Sequence, residues 1–79
     1  MRLDKYLKVS RIIKRRTIAN EACDAGRVLV NGKTAKASQD VKVGDTVEVH
    51  FGEKTVRVRI TAIMDTTKKE NATDMYEYV

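Results

Sequence analysis

The chain has no proline and no tryptophan, a single cysteine (Cys23), a single histidine (His50) and four glycines. One cysteine excludes an internal disulfide framework and a multi-cysteine zinc site, and one histidine excludes a histidine-rich metal site. No cofactor or metal is therefore expected. No apolar run exceeds three residues, so nothing reads as a membrane-spanning helix. The first residues, Met-Arg-Leu-Asp-Lys-Tyr-Leu-Lys, are charged throughout and lack the apolar stretch of a signal peptide. The expectation is a cytoplasmic protein with Cys23 reduced. Aromatics are limited to Tyr6, Phe51, Tyr76 and Tyr78. That pattern argues against a sheet of aromatic platforms stacking single-stranded bases. Seventy-nine residues make one small domain. A domain of this size buries only about 60% of the surface its unfolded chain exposes, so a deep pocket ringed by catalytic groups is not expected.

What the chain has is charge, unevenly placed. Apolar residues are 42% and charged residues 34%, with a net charge of +5, a globular rather than a disordered composition. Residues 1–36 hold ten Lys/Arg against three acids, a balance of +7. Residues 37–79 hold six against eight, a balance of −2. A polarised basic half is the footprint of a polyanion binder. A merely solvated basic face would give the same count.

Periodicity supplies the architecture. Leu3, Tyr6 and Leu7 fall at i, i+3 and i+4, which predicts a short amphipathic helix over 3–9. Asp4 and Lys8 add an i, i+4 pair in the favourable order. A basic turn follows, and Thr17 is the expected N-cap of a second helix. That helix is expected to place Ile18, Ala19, Ala22 and Cys23 on one side and to end at Gly26. From residue 27 the period becomes 2. Val28–Val30 and residues 33–35 read as a hairpin about Asn31-Gly32, where both turn residues need positive φ. Thr46–Phe51 alternates with Val47, Val49 and Phe51 inward. After a turn at 52–54, Val56, Val58, Ile60 and Ala62 alternate inward again. The expected fold is α+β, with two N-terminal helices packed on a short, mostly antiparallel sheet. Residues 1–64 are expected to form the domain, and 65–79 a frayed or weakly helical tail.

The basic residues suggest a surface. Arg2, Lys5 and Lys8 are spaced by three on the first helix, and Arg11, Lys14, Arg15 and Arg16 carry the charge through the turn. Seven cations in the first 16 residues face one acid, where a solvated helix usually mixes signs. Arg16 stands at the start of the second helix, where backbone N–H groups and the helix dipole favour phosphate. Its planar fork can grip phosphate bidentately, and a salt bridge to Asp4 is compatible with that role. Thr17 is a helix cap first and a phosphate contact second. Asp4 orients Arg2 or Arg16, or is a plain acid at a helix start. Lys33 and Lys36 flank the hairpin turn and either reach a second stretch of a polyanion or are ordinary surface lysines. Tyr6 and Cys23 read as core, and His50 as a solvated strand residue. Arg57 and Arg59 are a second contact patch or an exposed polar face. No nucleotide loop and no paired carboxylates point to an enzyme. An adaptor for acidic proteins or anionic membrane would need an apolar face that Leu3, Tyr6 and Leu7 owe to the core.

Read together, Arg2-Leu3-Asp4-Lys5-Tyr6-Leu7, Arg16-Thr17-Ile18-Ala19, Gly26-Arg27-Val28-Leu29-Val30-Asn31-Gly32, Lys36 and Val43-Gly44-Asp45 resemble the S-four RNA-binding domain, also called the alpha-L motif. The match covers about residues 1–51 and departs at Arg15, where many members carry a small hydroxyl residue. The resemblance implies a non-catalytic RNA binder, with Arg16 at a position where the family contacts RNA. Free-standing members of this length are similar to factors of ribosome-associated quality control. By that resemblance the expected partners are 23S rRNA of the large subunit, P-site tRNA and an alanine-tailing factor, with no membrane partner and a monomeric state. The alternative is heat-shock-type rescue, or assembly, of free large subunits.

Overall fold

The computed structural model describes residues 1–63 and 75–79. Two helices, α1 (Leu3–Val9) and α2 (Arg16–Asp24), precede five strands: β1 (Val28–Val30), β2 (Lys33–Thr34), β3 (Thr46–Phe51), β4 (Lys54–Ile60) and β5 (Tyr76–Tyr78). The strands form one sheet in the order β2-β1-β3-β4-β5, with every pairing antiparallel. The expected α+β architecture is therefore the observed one.

Helix α1 is held at its start by backbone rather than by a side-chain cap. Arg2 occupies the N-cap position in an extended conformation. The N–H groups of Leu3 and Asp4 donate to the carbonyls of Gln39 (2.8 Å) and Ala37 (3.1 Å). A short segment beside the N-terminus thus satisfies donors that a helix start leaves open. Leu3, Tyr6 and Leu7 are fully buried, as their spacing requires. The Tyr6 hydroxyl donates to the carbonyl of Met75 at 2.8 Å, and burial, with the neighbouring Tyr76, raises its pKa far above the ordinary phenol value.

Helix α2 begins two residues earlier than Thr17 capping would require. Arg15 is the N-cap, extended, and its carbonyl accepts the Ala19 N–H at 3.0 Å. Thr17 lies inside the first turn, and no side chain caps the helix. The C-terminal end is as expected. Gly26 has φ +74°, and the N–H groups of Gly26 and Arg27 donate to Cys23 and Ala22, both at 3.0 Å. These paired bonds are the closure that a left-handed residue permits. Ala19 and Cys23, four apart, face the core. Ile18 does not; it is 48% exposed. One residue is a rotation of about 100°, which carries Ile18 off the buried stripe.

Register places the apolar strand residues on the helix side. Val28 pairs with Val49, Val30 with Val47, and Val47 with Val58. All five are buried. Asn31 and Gly32 both have positive φ, 53° and 83°, the hairpin geometry their sequence predicts. Asn31 also reaches across to β3: its Nδ2 donates to Asp45 at 3.2 Å and its Oδ1 accepts the Thr46 N–H at 3.0 Å. Phe51 departs from expectation and is 40% exposed. It ends β3 opposite Lys54 at the hairpin, and a groove separates it from α2.

The reading of 65–79 as frayed or weakly helical is corrected where the structure describes it. Residues 65–74 lie outside the described residues. Met75 is fully buried and Tyr76–Tyr78 pairs with β4. The alternation of Tyr76 and Tyr78 is a strand signal, and the buried Tyr6 hydroxyl anchors the strand's start.

Gly26 gives a direct test of the helix end. A Cβ there would meet only Thr34 Cγ2 at 3.7 Å, an ordinary contact, so the cost lies in the backbone conformation. Gly26→Ala and Gly26→Val should each lose about 1 kcal/mol or more. In a domain of this size that lowers the thermal midpoint by roughly 4–8 °C per kcal/mol. An unchanged midpoint would contradict this closure.

Candidate nucleic-acid interface

The centre of the basic surface is an acid. Asp4 lies in the first turn of α1 with its side chain only 3% exposed. Its carboxylate accepts the Lys5 N–H at 2.8 Å. Arg2 approaches from the preceding residue, with Nε 3.3 Å from Oδ1 and Nη2 3.4 Å from Oδ2. Arg16 approaches from α2, with Nε 3.3 Å from Oδ2 and Nη2 3.4 Å from Oδ1. Two guanidinium forks therefore share one buried carboxylate. Both arginine side chains stay about half exposed, at 49% and 46%. An arginine carries five N–H donors, so each keeps donors free for a second anion after binding Asp4.

Burial by itself raises the pKa of Asp4. The hydrogen bonds from Arg16 and the Lys5 N–H, and the charges of Arg16 and Arg2, outweigh it and hold the carboxyl below the ordinary aspartate value. Asp4 is thus ionised and oriented, and it fixes both arginines. The two open alternatives for Asp4 resolve together: it sits at a helix start and it orients both partners.

Arg2, Asp4, Arg16, Thr17, Asn20 and Glu21 line one shallow groove. Asn20 and Glu21 did not emerge from the sequence reading, although they follow Arg16 and Thr17 by one helical turn. Lys8, Arg11, Lys14 and Arg15 are exposed, on α1 and on the turn to α2. Lys5 is half-buried. Arg11 has φ +63°, a conformation that normally favours glycine, and its N–H donates to Lys8 at 3.1 Å. Lys33 lies on the edge strand β2 and Lys36 beyond it, next to the segment that satisfies the start of α1. The structure brings Arg2, Arg16 and Thr17 into one groove; it does not bring Lys33 into that groove.

The remaining candidates are otherwise engaged. Arg57 pairs with Glu48 at 3.0 Å and Arg59 with Glu77 at 3.4 Å. His50 Nε2 lies 2.7 Å from Glu48 and its Nδ1 3.3 Å from the Thr55 hydroxyl. Hydrogen bonds from His50 and Arg57 lower the pKa of Glu48. Cys23 is buried, and burial, with the charges of Asp4 and Asp24, pushes its pKa up to about 11. A thiol held protonated is a packing residue, not a nucleophile. Among the described residues no His/Cys/Asp/Glu cluster has the makings of a metal site. No helix among them is long and apolar enough to cross a membrane.

The Asp4 cluster has a pH signature. Its folded pKa lies below the unfolded value of about 3.9. Its stabilising contribution is complete above that value and is lost as pH falls through the folded pKa. Asp4→Asn should therefore be less stable than wild type near neutrality, by on the order of 1–3 kcal/mol. The gap should close as pH falls below about 4. Thermal melts of both proteins across that range check this; equal stability at pH 7 would refute it.

Comparison with known proteins gives the family. The S4 domain family matches residues 1–47. The RQC P-site tRNA stabilizing factor of Streptococcus pneumoniae is 60% identical over 79 residues, covering 100% of this chain and 90% of that protein. The Bacillus subtilis protein of the same name is 60% identical over 76 residues, covering 96% and 88%. The trimeric structure of Vibrio cholerae heat shock protein 15 superposes with a TM-score of 0.93 at 30% identity, covering 100% of this chain and 81% of that one. With Arg2, Asp4 and Arg16 all inside the matched segment, the chain belongs to the S4 domain family, and within it stands with the RQC P-site tRNA stabilizing factors.

Proposed function

We propose that the chain is a non-catalytic RNA-binding factor of ribosome-associated quality control. It binds a stalled large ribosomal subunit through 23S rRNA and holds the P-site peptidyl-tRNA. By doing so it supports C-terminal alanine tailing of the nascent chain, beside the tailing factor. It acts as a monomer in the cytoplasm. The observation that carries this reading is the pair of half-exposed guanidinium groups locked on buried Asp4. Pre-oriented forks bind phosphate without first losing side-chain freedom. The first turn of α2, which no side chain caps, adds N–H donors beside Arg16. Lys5, Lys8, Arg11, Lys14 and Arg15 extend the contact along the backbone of a structured RNA, with Lys33 and Lys36 as an outlying second contact. The names of relatives at 60% identity support a tRNA-holding role. The heat-shock rescue alternative rests on relatives at 30% and 35% identity and is the weaker of the two.

Sucrose-gradient sedimentation from lysate tests this, with large-subunit fractions probed for peptidyl-tRNA. Wild type is expected in those fractions together with tRNA. Arg16→Ala should weaken association by about tenfold or more, the worth of a charge-assisted bidentate contact. Arg16→Lys should restore little, because it keeps the charge and loses the fork. A thermal melt confirms that each variant is folded. A folded Arg16→Ala variant that co-sediments at ordinary salt would remove the site. Wild type on mature ribosomes without tRNA would remove the stalled-chain role and leave the RNA-binding fold.

A further inference from the structure

Two large apolar residues that periodicity sends inward, Ile18 and Phe51, are exposed instead. They converge. Ile18, Ala22 and Ala25 on α2, with Ile13 before it, form one wall of a groove, and Phe51 and Gly52 at the β3–β4 hairpin form another; Arg27 and His50 complete it. Arg27 makes no ion pair among the described residues. The groove is therefore an apolar slot with an aromatic ring and an unpartnered guanidinium, the combination that suits a planar base joined to a phosphate. It adjoins the Arg2–Arg16 groove: Glu21 lines both. Successive residues of α2 serve the two in turn, Arg16, Thr17 and Asn20 on one side and Ile18, Ala22 and Ala25 on the other. Lys14 and Arg15, both exposed, precede the helix.

We propose that this groove takes one unpaired nucleotide of the RNA bound at Arg2 and Arg16, with its base between Ile18 and Phe51 and its phosphate toward Arg27. This rests on the RNA-binding reading above. An apolar protein segment is the competing occupant. The continuity with the arginine groove and the Arg27 guanidinium, which an apolar segment would leave without an anion, favour RNA. The slot complements backbone contacts: a duplex satisfies Arg2 and Arg16, whereas only an unpaired base can enter beside Phe51.

The chain has no tryptophan, so Phe51→Trp supplies a single reporter at an exposed position. The probes are a stem-loop RNA with a seven-base loop, and a blunt RNA duplex of the same length. The stem-loop is expected to quench the indole and to bind about tenfold more tightly than the duplex, the scale of one base stack. Phe51→Ala and Ile18→Ala, which leave charge unchanged, should reduce the stem-loop to duplex affinity. Arg16→Ala should weaken both RNAs. If Arg16→Ala weakens both while neither groove truncation matters and the indole is silent, the nucleotide slot is wrong and the arginine site stands. If Arg16→Ala binds both RNAs like wild type, the underlying reading fails and the slot falls with it. If a Leu/Glu amphipathic peptide shifts the indole emission and the stem-loop does not, the groove is a protein site and the proposal is overturned.

Discussion

The rest of the surface depends on one buried carboxylate. An anion with 3% of its side chain exposed is costly unless paired and hydrogen-bonded. Asp4 is paired twice and also accepts a backbone N–H. That requirement joins the two helices, because Arg2 precedes α1 and Arg16 opens α2. The dependence is mutual. Two guanidinium groups this close repel one another, and the shared carboxylate compensates for that repulsion. Their exposed halves keep donors facing outward. A stabilising contact and the proposed binding surface are thus the same atoms seen from inside and from outside.

The approach of α2 to Asp4 is set by the segment between the helices. Ser10 and Arg11 end α1 in a tight turn, with Ser10 Oγ donating to Leu7 at 3.2 Å and the Ile13 N–H to the same carbonyl at 3.1 Å. Arg11 takes a left-handed conformation that a side chain normally disfavours by about 1–2 kcal/mol. Glycine would relieve that cost and would also delete a cation from the basic run. At the opposite end of the chain, the Tyr6 hydroxyl ties α1 to Met75 and so to the edge strand β5. The Met75 carbonyl also accepts the Thr61 N–H at 2.9 Å. The helix that carries Arg2 and Asp4 is therefore fastened to both halves of the sequence.

Much of this was legible before the structure. Helix 3–9, the Asn31-Gly32 hairpin, strand Thr46–Phe51 and the Gly26 closure all follow from spacing and from residues with strong local preferences. The failures have local causes. Thr17 is a good N-cap residue, but Arg15 already provides the extended residue and the first accepting carbonyl, so the helix starts upstream. Ile18 lies one residue, about 100°, off the stripe that Ala19 and Cys23 bury, and Phe51 fits its period, yet a period states direction and not coverage. A strand residue at a hairpin end faces the right side of a sheet and still lies beyond the layer that would bury it. Strand β5 was missed because its pairing with β4 and its anchor at Tyr6 are distant in sequence. At the site, the arginines were readable from charge and family pattern. The sharing of Asp4 between both was not, because it depends on how the helices cross.

The sheet's outer face is the counterpart of the basic surface. Its charges cancel locally: Glu48 takes Arg57 and His50, and Glu77 takes Arg59. Exposed pairs of this kind add little stability, but they remove the sheet face as a competing cationic patch. The first 36 residues keep a balance of +7, and the structure concentrates the first seven of those cations on α1, on the turn and at the start of α2. A polyanion therefore meets a directed field. Affinity that arises this way falls steeply with salt, as counterion release requires. What salt does not remove is geometric: two forks held on one buried carboxylate.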